Sequence, residues 1–339
     1  MSAQARLARV LVGLGAGLLA MMAAALFVGS AGLAPGAVLD VLAGRTVADS
    51  TERVVVLSLR LPRIAVAAVA GGALAVAGVG FQALTRNPLA EPSVIGVSSG
   101  AAFGVVVAQL TATGAGLGDT VRLIAFGLAG ALVAGVTVYL VATTQAGLAV
   151  PTLLLAGVIV GVFFSAAITV ITSLVDINRL GGIVHWLLGN IGPVAPAPLL
   201  VFASLAAVGM SLILLRAREL NMLALGEESA LQLGVNAGRL TRQIFFGAAL
   251  LTAVAVAFTG PIGFVGLIVP HLLRMLLGSD NRFLVPAAFV GGAIFLLGAD
   301  TLARNIVAPA ELSVGVITAF CGAPFFVYLL RTRYRGGSP

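Results

Sequence analysis

Gly96-Val-Ser98-Ser-Gly100 spells the G-x-S-x-G pattern of a hydrolase nucleophile. Such a serine needs a strand before it, a helix after it, and a histidine and an acid to activate it. Here the stretch follows Asn87-Pro-Leu-Ala-Glu-Pro-Ser and enters an apolar run, so close packing of small residues is the expectation. An intramembrane hydrolase using Ser98 is a rival that a serine-reactive label would expose. The two histidines, His185 and His271, stand apart from any Cys/His/Asp/Glu cluster. Metal sites use three or four such ligands, so no metal or catalytic residue is expected. The 19 basic residues are all arginine. Without lysine there is no P-loop lysine and no Schiff base, and ATP cannot be held by a Walker motif of this chain. No cofactor is expected on it. The single Cys321 excludes an internal disulfide and, lying in an apolar run, is expected to be a buried, inert thiol.

The remaining polar chemistry sits in three places. Arg60 and Arg63 flank Pro62, share a face at a helix start and present two planar forks to carboxylates, although anchoring at lipid headgroups is the simpler use. Asp300 and Arg304 are four apart and can pair with each other. Between Leu220 and Asn236, Leu225-Gly226 breaks the chain, Glu227, Glu228 and Ser229 open a short helix, and Gly234-Val235 closes it. Acids suit a helix start and glycine its end. Ala230, Leu231 and Leu233 give that helix an apolar side. It is equally suited to be a lid on its own bundle or a plug for a partner's groove.

The elements that must position these residues are dictated by composition. Of 339 residues, 60% are apolar and only 9% charged. That much hydrocarbon needs lipid as its solvent. Apolar runs fall near 7–33, 54–85, 93–112, 121–145, 147–175, 197–215, 241–262, 264–277, 283–303 and 311–332. They do not alternate as barrel strands would, and 43 glycines suit close helix packing in lipid. The expectation is an all-α polytopic membrane protein of about ten spans forming one permease domain over 1–339, with a cytoplasmic loop at 220–238. The run at Val10–Leu33 is too long for the apolar part of a signal peptide and reads as the first span. The segment Leu180–Ile191, with His185 and Trp186, is too short to cross and reads as interfacial or re-entrant.

Ten spans with both termini inside place 12 arginines in the cytoplasm and 7 outside, the bias that orients membrane proteins. The arginines form no patch, so nucleic acid is not a partner. Arg60-Leu-Pro-Arg63 is echoed by Arg239-Leu-Thr-Arg242 on the opposite side, the parity of an inverted repeat, although helix-end anchoring explains it as well. No acid falls in mid-span, which argues against an ion-coupled secondary transporter, the rival of another class.

Five segments together resemble the permeases of ABC importers for iron chelates and vitamin B12. They are Arg60-Leu-Pro-Arg63; Arg86-Asn-Pro-Leu-Ala-Glu-Pro with Gly96-Val-Ser-Ser-Gly-Ala; Asn221-Met-Leu-Ala-Leu-Gly-Glu with Gln232-Leu-Gly-Val; Gly260-Pro-Ile-Gly-Phe-Val-Gly-Leu-Ile-Val-Pro-His-Leu-Leu-Arg274; and Glu311-Leu-Ser-Val-Gly-Val-Ile-Thr with Gly322-Ala-Pro. The resemblance implies ten helices in a bacterial inner membrane and a permease homodimer. It also implies two cytoplasmic ATPase subunits, which carry ATP and magnesium, and an external binding protein delivering haem, a ferric siderophore or a corrinoid. It implies that Leu225 to Val235 is a coupling helix docked on the ATPase. Arg60, Arg63 and Arg304 become docking points for acidic residues of the binding protein, and Leu153–Val175 a pathway-lining helix. One departure concerns the small hydroxyl residues that gate vitamin B12 permeases before the fifth helix. Here that stretch reads Ala149-Val150-Pro151-Thr152, where only an apolar constriction is on offer.

Overall fold

A computed structural model describes residues 3–29, 32–47, 50–111, 117–144, 147–308 and 310–335. The chain begins with α1 (Ala3–Phe27) and a short α2 (Pro35–Leu42). A helical turn, α3 (Thr51–Arg53), runs through a π-helical stretch (Val54–Arg60) into α4 (Leu61–Thr85). After a 3₁₀ turn (Pro92–Ile95) come α5 (Val97–Leu110) and α6 (Leu117–Ala142). A ribbon of two residues per strand, β1 (Thr143–Thr144) against β2 (Gly147–Leu148), leads into α7 (Val150–Leu174) and α8 (Ile177–Leu187). Then follow α9 (Pro196–Leu214), α10 (Ala217–Leu223), α11 (Glu227–Gln232), α12 (Ala237–Thr259), α13 (Val265–Leu277), α14 (Asn281–Asn305) and α15 (Val314–Arg335).

Among the described residues seven helices are long and apolar enough to cross a membrane, and α5, α13 and α15 are shorter apolar helices. These ten helices fall on the ten expected apolar runs; seven have the length of a span, the two marginal runs are indeed short, and α15 is also among the shorter apolar helices. The interfacial segment begins earlier than the sequence suggests. Val175 and Asp176 are extended, and α8 starts at Ile177 directly behind them.

The α3–α4 rod is the axis of the bundle: α4 is buried along most of its length, whereas α7 is largely exposed. It packs on α14, α12, α13 and α9, while α5, α6 and α7 form a group beside it. Bare backbone makes these crossings possible. A side chain at Gly71 of α4 would strike the carbonyl of Gly292 in α14, and one at Gly100 of α5 the carbonyl of Gly130 in α6. In lipid, helices gain from such van der Waals contact rather than from excluding water.

One expectation changes. Cys321 is exposed, because α15 touches α13 and α14 and presents the cysteine, next to Phe320, on its uncovered side. The Asn87–Pro92 link ties two helices together. Arg86 ends α4 in the left-handed region, and the chain then dips so that the Glu91 carboxylate accepts the Phe264 amide at the head of α13.

Candidate functional site

Ser98 is buried in the first turn of α5, behind a 3₁₀ turn and Gly96, with no strand before it. That is a helix start packed on α6, without the architecture of a nucleophile elbow. Among the described residues no group of three metal-binding side chains is assembled.

The arginines form a cluster where α4 begins and α14 ends. Arg63 donates from Nε to Asp300 at 3.0 Å and from Nη1 to Glu311 at 2.8 Å. Arg304 Nε lies 3.1 Å from the other oxygen of Asp300. Arg60 Nη1 donates to the Leu26 carbonyl at 2.7 Å. Arg60 and Arg304 are only 5% and 4% exposed, and Asp300 is fully buried. The expected Asp300–Arg304 pair is present, and it is part of a four-member network with Arg63 and Glu311 reaching from α4 to the loop before α15, with Arg60 beside it. Arg60 faces the bundle and not the headgroups, since the π-helical stretch rotates it inward above Leu61. Buried charges persist where opposite charges face them, and this cluster sets three cations against two carboxylates, with Asp300 Oδ2 and Arg304 Nε in ion-pair contact only.

At the opposite end of α14 sits the loop carrying the expected coupling helix. Gly226 (φ +115) and Gly234 (φ +82) bound α11 in backbone conformations that side chains rarely adopt. Ala230 is fully buried, whereas Leu225, Leu231 and Leu233 are 71%, 69% and 58% exposed. Only one small residue of the apolar side therefore faces the bundle, and the large ones are presented outward with Glu228 and Ser229. This loop is anchored through α10. Asn221 Nδ2 donates to Asp280 Oδ1 at 2.7 Å, and Asn221 Oδ1 accepts from the Asn281 amide at 2.9 Å and from its side chain at 2.8 Å. Asp280, the N-cap of α14, is held down to about 2, first by its hydrogen bond from Arg282. Next to this anchor a cavity of about 280 Å³ is lined by Gln82, Arg86, Leu220, Arg274 and Asn281. Gln82 bridges its wall, donating to the Gly266 carbonyl at 3.1 Å and accepting from Arg274 at 2.5 Å.

Between the two ends, Glu91 holds the break between α12 and α13. Phe264 has a left-handed φ of +69, and its amide would lack an acceptor at the helix start without that carboxylate. Burial pushes Glu91 above the usual carboxylate range. Sequence reasoning assigned no role to Asn221, Asp280, Gln82, Glu91 or Glu311. Their partners lie up to 248 residues away along the chain, beyond any local spacing rule.

Residues 17–332 match the FecCD transport family. The chain belongs to that family. It shares 43% of residues with the cobalamin import system permease BtuC of Halobacterium salinarum over 286 residues, covering 84% of this chain and 75% of the relative. It shares 41% with the hemin transport system permease HmuU of Yersinia pestis over 277 residues, covering 81% of this chain and 82% of the relative. The fold aligns with a solved inward-facing ABC transporter assigned to the metal-chelate type, with a TM-score of 0.81 and 31% identity over 96% of this chain and 99% of that one. As a FecCD member the chain is a multi-pass membrane permease of the type II ABC importer class for iron chelates and vitamin B12.

Proposed function

We propose that this permease imports a metal chelate, haem or a ferric siderophore, as a homodimer joined to two cytoplasmic ATPase subunits and served by an external binding protein. ATP and magnesium stay on the ATPase chains, and this chain catalyses nothing. Both termini and the α10–α11 loop are cytoplasmic, as the arginine bias suggests. The observation that carries the reading is the α10–α11 loop. It offers Leu225, Leu231 and Leu233 outward on a stub whose root, Asn221, is bonded to the cap of α14. Exposed leucines on a short helix fit a partner's groove, while the root transmits its displacement to a helix that runs the depth of the bundle.

Docking at the other end falls to the cluster of Arg60, Arg63 and Arg304, with the partly exposed Arg63 as its contact point and the buried Arg60 and Arg304 as charge behind it. Their cluster has one more cation than carboxylates, so acidic groups of a binding protein find a positive terrain. Glu311 sits on the exposed side of Arg63 and is the group an incoming carboxylate displaces. Glu311→Gln is expected to raise binding-protein affinity severalfold, and Arg63→Glu to lower it and flatten its salt dependence. Equal affinity in all three proteins, measured by surface binding to permease nanodiscs, would remove the arginines from docking.

A corrinoid is the second reading, favoured by the cobalamin-importing relative, which matches this chain as well as the hemin permease does. Ion-coupled transport is disfavoured because Asp300, a buried acid within a span, is engaged by Arg63 and Arg304 and is no free proton carrier. The deciding experiment is uptake into proteoliposomes with haem, a ferric hydroxamate and cobalamin offered separately. Accumulation is expected only with an ATPase subunit, ATP and a loaded binding protein present. Accumulation by this chain alone would overturn the proposal.

A further inference from the structure

The cavity of about 280 Å³ beside the anchor of α10 is lined by two arginines and no acid. Arg274 reaches it from the last turn of α13, and Arg86 from the end of α4. Gln82 is 2% exposed, donates to the Gly266 carbonyl and accepts from Arg274 Nη1, so it fixes that guanidinium in the wall. A guanidinium has five N–H donors, and Arg274 meets no carboxylate among the described residues. Asp280 is nearby in the chain but is engaged by Arg282 and Asn221. Arg86 is exposed and holds a left-handed φ of +48, a conformation that glycine adopts at less cost. A long cation thus stands where the backbone by itself favours none.

One side of the cavity is apolar and comes from Leu220 and Ala224 of α10, the helix that carries the α11 stub. Leu225 follows Ala224 directly and is exposed, so a partner that grips it lies over this wall. The methylenes of an acidic side chain suit Leu220 and Ala224, and its carboxylate suits the guanidinium forks. A second cleft beside α10 is lined by Arg218 and Arg282, again with no acid among its lining residues, so the root of the stub is basic. We propose that the ATPase subunit inserts an acidic side chain into the cavity, between Arg86 and Arg274. The inference rests on the importer reading and adds the chemistry of the partner: carboxylates beside an apolar groove. Such pairs fix the register in which two surfaces meet. The wall made by α10 favours a side chain of the partner over a lipid headgroup.

The chain has no lysine, which makes the test selective. Arg274→Lys and Arg86→Lys keep the charge, and each places one primary amine at the cavity. The full chain is taken in nanodiscs with the ATPase that co-purifies with it and treated with a carbodiimide, which joins carboxylates to amines. Digested peptides are then weighed. A link from position 274 or 86 to an Asp or Glu of the ATPase is expected, and none from Arg45→Lys, a control on an open surface away from the cavity. Arg86→Glu is expected to weaken ATPase association by about tenfold at low salt, with the difference shrinking as salt is raised. A complex that forms normally but gives no link at either position, or that Arg86→Glu leaves unweakened, overturns the inference and leaves the importer reading standing. An Arg86→Glu effect confined to nanodiscs containing phosphatidylglycerol makes a headgroup the occupant and also overturns it. If no ATPase co-purifies with the wild type, the importer reading falls, and this inference with it.

Discussion

Asp300 illustrates how differently one charge counts by position. It lies wholly inside the bundle between Arg63 and Arg304, whereas Asp40 pairs with Arg45 at 3.7 Å on an open surface. Removing a buried partner strands the opposite charge, at about 3–5 kcal/mol, while an exposed pair contributes about 0–1 kcal/mol. Asp300→Asn is therefore expected to lower the melting midpoint markedly and Asp40→Asn hardly at all, with detergent-solubilised protein as the assay. Equal midpoints would show that the cluster is hydrated. The pairing of Asp300 with Arg304 was legible from their spacing of four. The larger partner, Arg63, was not, because no periodicity links positions 237 residues apart.

Two carboxylates outside the spans titrate in opposite senses. Asp280 is held down to about 2 from 3.8, so the stability it contributes is complete above pH 3.8 and is lost as pH falls toward 2. Glu91 is raised above 4.5 by burial, so its protonated form suits the fold, and stability is lost as pH climbs from 4.5 through the raised value. Glu91→Gln still offers an oxygen to the Phe264 amide and is expected to flatten the stability profile on that side. Asp280→Asn is expected to be less stable than wild type at pH 7, with the gap narrowing as the medium is acidified toward pH 3. Parallel profiles in melts over pH 3–8 would refute both assignments.

At the level of elements, α14 links the two ends. Asn281 at its start is tied to Asn221 of α10, and Asp300 near its finish is tied to Arg63 of α4. Nineteen residues at a rise of 1.5 Å place those ties roughly 28 Å apart. α14 keeps close backbone contact with α4 at Gly71 and Gly292, and Pro286 interrupts it only near its start, so a pull at α10 is expected to reach the arginine cluster along it. Asn221→Ala keeps α11 and its leucines but cuts the tie. It is expected to leave ATPase association intact and to reduce transport per ATP hydrolysed severalfold. Ala230→Pro breaks α11 itself, removing the amide that bonds the Gly226 carbonyl, and is expected to weaken association as well. Should Asn221→Ala transport with wild-type coupling, α14 is not the transmitting element. The existence of α11 was plain from Gly226, the acids and Gly234. Its anchorage was hidden because Asn221, in the short helix α10, and Asp280, at the cap of α14, meet through side-chain bonds that no hydrophobic period announces.

For the whole molecule, the sequence announced spans by their length, but which faces would remain uncovered depends on three-dimensional neighbours. α7 leaves Val158, Ile159, Val162 and Phe163 exposed, and α15 leaves Phe320 and Val327 exposed. An apolar cavity of about 550 Å³ lies beside α15, lined by Leu187, Leu188, Pro261, Val316 and Phe320. Lipid covers a smooth helix face well, but a cavity of this size is filled better by projecting side chains. In the proposed homodimer a second copy related by a two-fold axis would supply them, since the same patch then meets itself. Cys321, exposed on α15 next to Phe320 of that lining, is the chain's single thiol, so it reports the arrangement without engineering. A short bis-maleimide added to native membranes is expected to give a covalent dimer, seen as doubled mass on a denaturing gel and absent for Cys321→Ser. If wild type is labelled by a monomaleimide but never bridged, the two α15 helices do not face each other across the axis, and the cargo path must be built from other walls.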